Sequence, residues 1–236
     1  MGVNRNLDFQ VFFGTIAISF FIIYIWILTQ LGRSLDVTKR KMPARQAYSK
    51  MKTGDLVFVS YNSMRGKLVK IFTGSMWTHS GMILEEDDGK KIVIEVAYYG
   101  SEKYGVLRTP LDEWFKFNDN RVLGWRIYDG KKFPKEQLLK KLRYDEARDI
   151  EPDTNLVSWL RTLIKRKHTD PNYVNQDEYF CSEYIMHLLQ ETKVIQGYMD
   201  PQGVYPSGYK PWELLYGNDL PYHTGHSYGP SFMIEG

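Results

Sequence analysis

Apolar and polar residues alternate in short runs along the first half of the chain, and this pattern predicts β-strands. The predicted strands span 55–61, 78–84, 91–97, 105–109 and 121–128. Turn-forming residues separate the runs, and the second and third are joined by one short charged turn at 85–90. We therefore expect the second and third strands to pair as a hairpin.

From residue 134 onward, apolar residues recur every three or four positions, which is the spacing of helices that cover a core. The predicted helices span 134–146, 155–167 and 179–190, with shorter helical segments at 67–72, 110–115 and 211–216. The tail after Gly197 is rich in Gly, Pro, Tyr and His, so we expect a loop packed on the domain. Strands first and helices afterwards indicate an α+β domain.

The N-terminal segment 9–31 contains no charged residue. About 20 apolar residues cross a bilayer core, so this segment predicts a single transmembrane anchor within residues 1–32. A cleaved signal peptide is the alternative, but no A-x-A-like cleavage site follows. Basic residues are concentrated after the span, and the positive flank normally stays cytoplasmic. We therefore expect the rest of the chain on the cytoplasmic side, or in the interior of a virion.

The remaining chain divides by composition into a linker and a domain. Residues 33–50 are basic and polar, so they predict a juxtamembrane linker that can also contact anionic lipid headgroups. Residues 51–236 form the predicted domain, in which 130–178 has the pattern of a helical insertion. The single cysteine excludes a disulfide within the chain, and the net charge of +3 does not indicate nucleic-acid binding.

The single cysteine, Cys181, lies where the third predicted helix begins. A helix N-terminus carries partial positive charge and unpaired N–H groups, which favour a thiolate and can hold an oxyanion. Cys181 is therefore a candidate nucleophile. The alternative is a structural role, because a lone cysteine beside an apolar helix face is usually a small buried hydrophobic residue.

Two polar residues in the predicted hairpin can serve such a nucleophile. His79 lies at the start of a strand and can project from the sheet towards a packed helix, whereas the other histidines are less favourably placed. Glu95 interrupts an apolar strand, where an unpaired buried charge would be costly. Hairpin pairing can put Glu95 beside His79, where it would fix the imidazole tautomer. The alternative is a glutamate that faces solvent.

Together these residues resemble a known family. Gly54-Asp55 opens a strand, His79-Ser80-Gly81 follows in the next, Glu95 lies in the third, and Cys181 begins a helix. This order is similar to that of the circularly permuted NlpC/P60 papain-like superfamily, in particular the YiiX/YaeF-like amidases and their poxviral relatives. The resemblance covers 53–97 and 179–190.

The resemblance implies a permuted papain-like fold with an antiparallel sheet packed on a cysteine-bearing helix. It also implies a thiol amidase or peptidase with Cys181 as nucleophile, His79 as base and Glu95 as the orienting residue, and no metal or organic cofactor. Tyr61 and Ser75 are oxyanion candidates only by their position near the site. Two alternatives stay open: a lipid esterase or acyltransferase with the same triad, and a non-catalytic membrane or virion protein with the same fold.

Overall fold

The structure is a computed structural model that describes residues 14–24, 26, 40–73, 76–98, 104–152, 178–195 and 222–235. The strands are β1 (Lys41–Pro43), β2 (Leu56–Ser60), β3 (His79–Glu85), β4 (Lys91–Tyr98), β5 (Tyr104–Pro110), β6 (Val122–Tyr128), β7 (Glu151–Pro152), β8 (Glu178–Tyr179) and β9 (Tyr228–Glu235). The helices are α1 (14–24), α2 (Ala44–Lys50), α3 (Met64–Thr73), α4 (Leu111–Phe117), α5 (Lys135–Glu146) and α6 (Cys181–Glu191).

In the described part of the chain, the domain has an α+β architecture built around one seven-stranded sheet. Its strand order is β1-β9-β6-β2-β3-β4-β5, and all neighbours are antiparallel except the parallel pair β1–β9. The predicted hairpin of β3 and β4 is confirmed, with Met82 opposite Ile94. Strands β7 and β8 form a separate parallel pair.

Both faces of the central sheet are covered by hydrophobic clusters, and successive residues along one strand pack into the two clusters in turn. Met82 and Leu84 of β3 pack in a cluster with Leu188 of α6, whereas Ile83 packs in a second cluster with Trp114 of α4. All five residues of β2 are buried as a consequence. A strand covered on both faces has an unbroken apolar run instead of clean alternation, as Leu-Val-Phe-Val shows.

The prediction of a loop for the tail is wrong over β9, which lies inside the sheet between β1 and β6. The strand pattern is hidden by Gly229 and Pro230, two residues that normally disfavour strands. They coincide with an irregular register between Arg126 and Tyr128 of β6. A bulge tolerates such residues, because the ladder is already interrupted there.

Parts of the predicted linker and of the predicted insertion pack against the rest of the domain. Within the predicted linker, β1 pairs with β9 and α2 buries Ala47 completely. Within the predicted insertion, α5 buries Leu138 and Leu142 in the cluster that contains α6. The predicted helices 155–167 and 211–216 lie outside the described residues.

Only part of the predicted anchor falls within the described residues. Helix α1 exposes large apolar side chains, among them Phe20 at 69% and Phe21 at 64% of their surface. The remaining predicted anchor residues, apart from Trp26, lie outside the described ranges. No helix within the described ranges is both long enough and apolar enough to cross a membrane.

Candidate active site

The structure brings His79 and Glu95 into direct contact in the buried interior. His79 Nε2 lies 2.7 Å from Glu95 Oε2, and the two residues are 8% and 0% exposed. His79 is the first residue of β3, and the β3–β4 pairs end at Met82 and Ile94. The two side chains therefore meet beyond the last paired residues of the hairpin, at one end of the sheet.

A tryptophan that the sequence pattern does not single out also contacts the carboxylate. Trp114 of α4 donates its indole N–H to the same Glu95 Oε2 at 3.2 Å. A buried carboxylate needs such donors, because leaving it unpaired away from water is costly. Trp114 and His79 together fix the orientation of Glu95, and Glu95 in turn fixes the imidazole ring.

Cys181 is the first residue of α6 and is partly exposed. The helix is anchored over β3 and β4 by apolar residues such as Ile185 and Leu188. Its start is further defined by the backbone N–H of Phe180, which donates to the Glu183 carboxylate at 3.3 Å. The N–H of Cys181 is the first of the helix and has no acceptor within it, so it can face an oxyanion that forms beside the thiol.

The thiol and the imidazole shift each other's pKa in opposite directions. Burial raises the pKa of Cys181, but the charge and hydrogen bond of His79, aided by Ser80, lower it below the usual thiol value. Burial lowers the pKa of His79, but the charge of Cys181, the charge of Tyr61 and the hydrogen bonds of the ring to Cys181 and Glu95 raise it well above the usual value. These shifts favour a thiolate–imidazolium pair.

The geometry also indicates which ring nitrogen serves which partner. Because Nε2 of His79 is bonded to Glu95, Nδ1 is the nitrogen left for the Cys181 thiol. Thr78, the residue before His79, is fixed to the end of β2 by two hydrogen bonds. Its Oγ1 accepts the N–H of Tyr61 at 2.8 Å and donates to the Val59 carbonyl at 3.1 Å. The base is thus held on rigid backbone.

The other candidates from the sequence have different surroundings. The Tyr61 ring lies beside the His79 ring, with centroids 5.9 Å apart, whereas Ser75 lies outside the described residues. His226 is hydrogen-bonded to Tyr128 in another part of the domain. His168 also lies outside the described residues. His79 and Glu95, two of the residues that the sequence singles out, are thus in contact, and Trp114 joins them.

The chain is similar to a solved structure of low sequence identity. No protein-family model matches the chain. No curated protein sequence matches it significantly. Among solved structures, the metalloprotein YiiX (DUF1105) from Escherichia coli O157:H7 is similar, with a TM-score of 0.44 and 17% identity, over 77% of this chain and 89% of that one. Within the described ranges of this chain, no group of three or more His, Cys, Asp or Glu side chains could hold a metal.

Proposed function

We propose that this protein is a cysteine hydrolase of amide or ester bonds. Cys181 is the nucleophile, His79 is the base, and Glu95 is the positioning residue. The observation that carries the proposal is the buried 2.7 Å contact between His79 Nε2 and Glu95 Oε2, beside a thiol that hydrogen-bonds to the same ring. An inert buried cysteine would have a raised pKa, whereas that of Cys181 is lowered.

The reaction begins when the Cys181 thiolate attacks the substrate carbonyl carbon and forms a C–S bond. The carbonyl π electrons move to oxygen, and the backbone N–H of Cys181 can stabilise that oxyanion. Collapse of the intermediate breaks the C–N or C–O bond, and the His79 imidazolium donates its proton to the leaving group.

Water then resolves the thioester. His79 removes a proton from the water, the new oxygen–carbon bond forms, and the C–S bond breaks to release the carboxylic acid and regenerate the thiolate. Throughout, Glu95 keeps the ring oriented and stabilises its positive charge, which is the role of the third residue in triads generally.

We also propose that the domain has a permuted papain-like fold. The histidine-bearing strand precedes the cysteine-bearing helix in the chain, as in permuted papain-like enzymes of the NlpC/P60 type. The packing of α6 across β3 and β4, with Cys181 at its first residue, supports this relation.

We also propose that the N-terminal segment attaches the enzyme to a membrane, with the domain on the cytoplasmic or virion-interior side. The exposed apolar side chains of α1 support this proposal, because a soluble surface rarely carries so many together. Flotation of the full chain with liposomes tests it: the chain should float, a variant without residues 1–32 should not, and equal sedimentation of both would refute it.

Acyl-enzyme formation tests the catalytic proposal. The full chain, kept in detergent, is incubated with 4-nitrophenyl esters and 4-nitroanilides of several acyl groups. We expect release of the chromophore and an intact-mass increase equal to the acyl group. Both should disappear in Cys181→Ala and His79→Ala. His223→Ala, which changes a histidine of the tail, is the matched control and should behave as the wild type.

Equal chromophore release by the wild type and Cys181→Ala would overturn the assignment of the nucleophile. A variant of His79 that accumulates the acyl-enzyme as fast as the wild type would overturn the assignment of the base.

A further inference from the structure

A positively charged side chain, that of Arg121, lies near the candidate site and takes no part in the proposed reaction. Arg121, immediately before β6, has its guanidinium Cζ 4.3 Å from the centre of the Tyr61 ring. Tyr61 in turn packs beside His79, with ring centroids 5.9 Å apart. The two separations place Arg121 Cζ no more than about 10 Å from the His79 ring, a distance over which charges still interact in a protein.

Arg121 is held in place without any carboxylate partner in the described part of the chain. Its Nη1 donates to Asn118 Oδ1 at 2.7 Å, and Asn118 is completely buried and donates its own amide to the Trp114 carbonyl at 2.8 Å. The stacked ring and the neutral amide orient the guanidinium but leave its charge uncompensated. A planar guanidinium fixed in this way can bind a carboxylate or phosphate through two parallel hydrogen bonds.

A second cation is held by the side chain of the residue that follows Tyr61 in the chain. Lys70 of α3 donates to Asn62 Oδ1 at 3.0 Å, so it too is fixed by a neutral amide. Burial and the neighbouring charge of Lys67 lower the pKa of Lys70. Helix α3 carries three basic residues and no acidic one, so no carboxylate of its own can neutralise them.

We propose that Arg121, stacked on Tyr61 and assisted by Lys70, forms a subsite for an anionic group of the substrate, a carboxylate or a phosphate. The inference rests on the proposed cysteine hydrolase. It narrows the substrate to an amide or ester that carries negative charge near the bond to be cleaved. The scissile carbonyl lies at Cys181, and the anionic group lies on the Arg121 side of His79.

Alkylation of Cys181 by two reagents that differ only in charge tests the subsite without a known substrate. Iodoacetate carries a carboxylate, whereas iodoacetamide is its neutral counterpart, and the single cysteine makes every label unambiguous. The measured quantity is the iodoacetate-to-iodoacetamide rate ratio at pH 7 for the full chain. A charge at about 10 Å changes such a ratio by roughly twofold to fifteenfold, so Arg121→Gln should lower it by that factor.

Three comparisons make the result specific. Arg121→Lys keeps the positive charge but loses the planar guanidinium over Tyr61, and it should retain most of the wild-type rate ratio. This variant therefore distinguishes an effect of charge from an effect of packing. Arg143→Gln removes a positive charge from an exposed position on α5 and should leave both rates unchanged. Added salt should lower the wild-type ratio more than that of Arg121→Gln, because salt screens the interaction.

Competition identifies the kind of anion. At constant ionic strength, succinate or inorganic phosphate should slow the iodoacetate reaction of the wild type but not that of Arg121→Gln, and the stronger competitor indicates the group preferred. A ratio that is equal in the wild type and Arg121→Gln, or protection by neither anion, would overturn the subsite. If iodoacetamide reacted no faster with the folded than with the unfolded chain, the proposed nucleophile would fail instead, so the two failures are distinguishable.

Discussion

Replacing Glu95 by Gln tests whether the buried carboxylate sets the protonation state of the candidate dyad. Glutamine has nearly the same shape, but it lacks the charge, and its amide nitrogen cannot accept a hydrogen bond. In the native chain Oε2 accepts from both His79 Nε2, at 2.7 Å, and Trp114 Nε1, at 3.2 Å. The substitution therefore weakens a charge-assisted bond without emptying the space.

The size of the effect follows from that bond. A hydrogen bond to a charged group contributes about 1.5–3 kcal/mol, which corresponds to roughly a tenfold to hundredfold shift of an equilibrium. Loss of Glu95 lowers the pKa of His79, because the bond to Glu95 is one of the contributions that raise it. With less imidazolium beside it, the Cys181 thiolate loses stabilisation, so the pKa of the thiol rises and less thiolate is present at neutral pH.

The assay is the rate of iodoacetamide alkylation of Cys181 across pH 5 to 10, at values chosen to bracket the usual thiol pKa of about 8.5. In the wild type we expect thiolate reactivity to persist below that value, and in Glu95→Gln we expect the midpoint to move upward. Glu136→Gln, on the exposed face of α5, is the matched control. An unchanged midpoint in Glu95→Gln, with a cooperative unfolding curve, would refute the reasoning.

The remaining predictions concern the packing that supports the site. Trp114→Phe removes a donor to Glu95, so it should lower the free energy of unfolding by about 1 kcal/mol and slow alkylation less than the glutamine variant does. Asp55→Ala leaves three donors without their acceptor, which should cost roughly 2–5 kcal/mol in urea denaturation. Burial raises the pKa of Asp55 to about 6, so the folded chain keeps a proton that the unfolded chain releases near 3.8. The free energy of unfolding of the wild type should therefore decrease as the pH is raised from about 4 to 6, and this decrease should be smaller in Asp55→Ala. In Gly124→Ala the new Cβ would lie 2.7 Å from the Trp77 ring, and calorimetry should show a lower Tm, equivalent to about 1–3 kcal/mol.

Local patterns were sufficient to predict the part of the site that lies on neighbouring strands. The charged residue in an apolar strand and the short turn before it placed Glu95 in a hairpin with the strand of His79, and the structure has that hairpin. Trp114 could not be found in this way. Its contact with Glu95 depends on how α4 packs across the sheet, and the sequence around it shows only a short helical segment.

The ends of the folded region were predicted less well, for a related reason. Strand β1 has only three residues and gains its place by pairing with β9. Neither strand has a clear alternating pattern, since β1 is too short for one and β9 contains Gly229 and Pro230. Each is stabilised by a partner that is distant in the chain, so no local window contains the information that defines it.

The complete burial of Glu95 connects the fold to the chemistry. In a sheet exposed on one face, a glutamate can satisfy alternation by facing water, but both faces of this sheet are covered. The carboxylate is therefore stable only with a donor beside it, and a protonated His79 is the strongest donor available. An imidazolium in that position favours the Cys181 thiolate, so His79 and Cys181 titrate together. As carboxylate, imidazolium and thiolate, the three side chains carry a net charge of about −1 in a region of low dielectric.

The charge of Arg121, which has no carboxylate partner in the described part of the chain, lies at a distance where it can stabilise these three side chains. It also offsets the repulsion that an anionic substrate would otherwise meet at the thiolate.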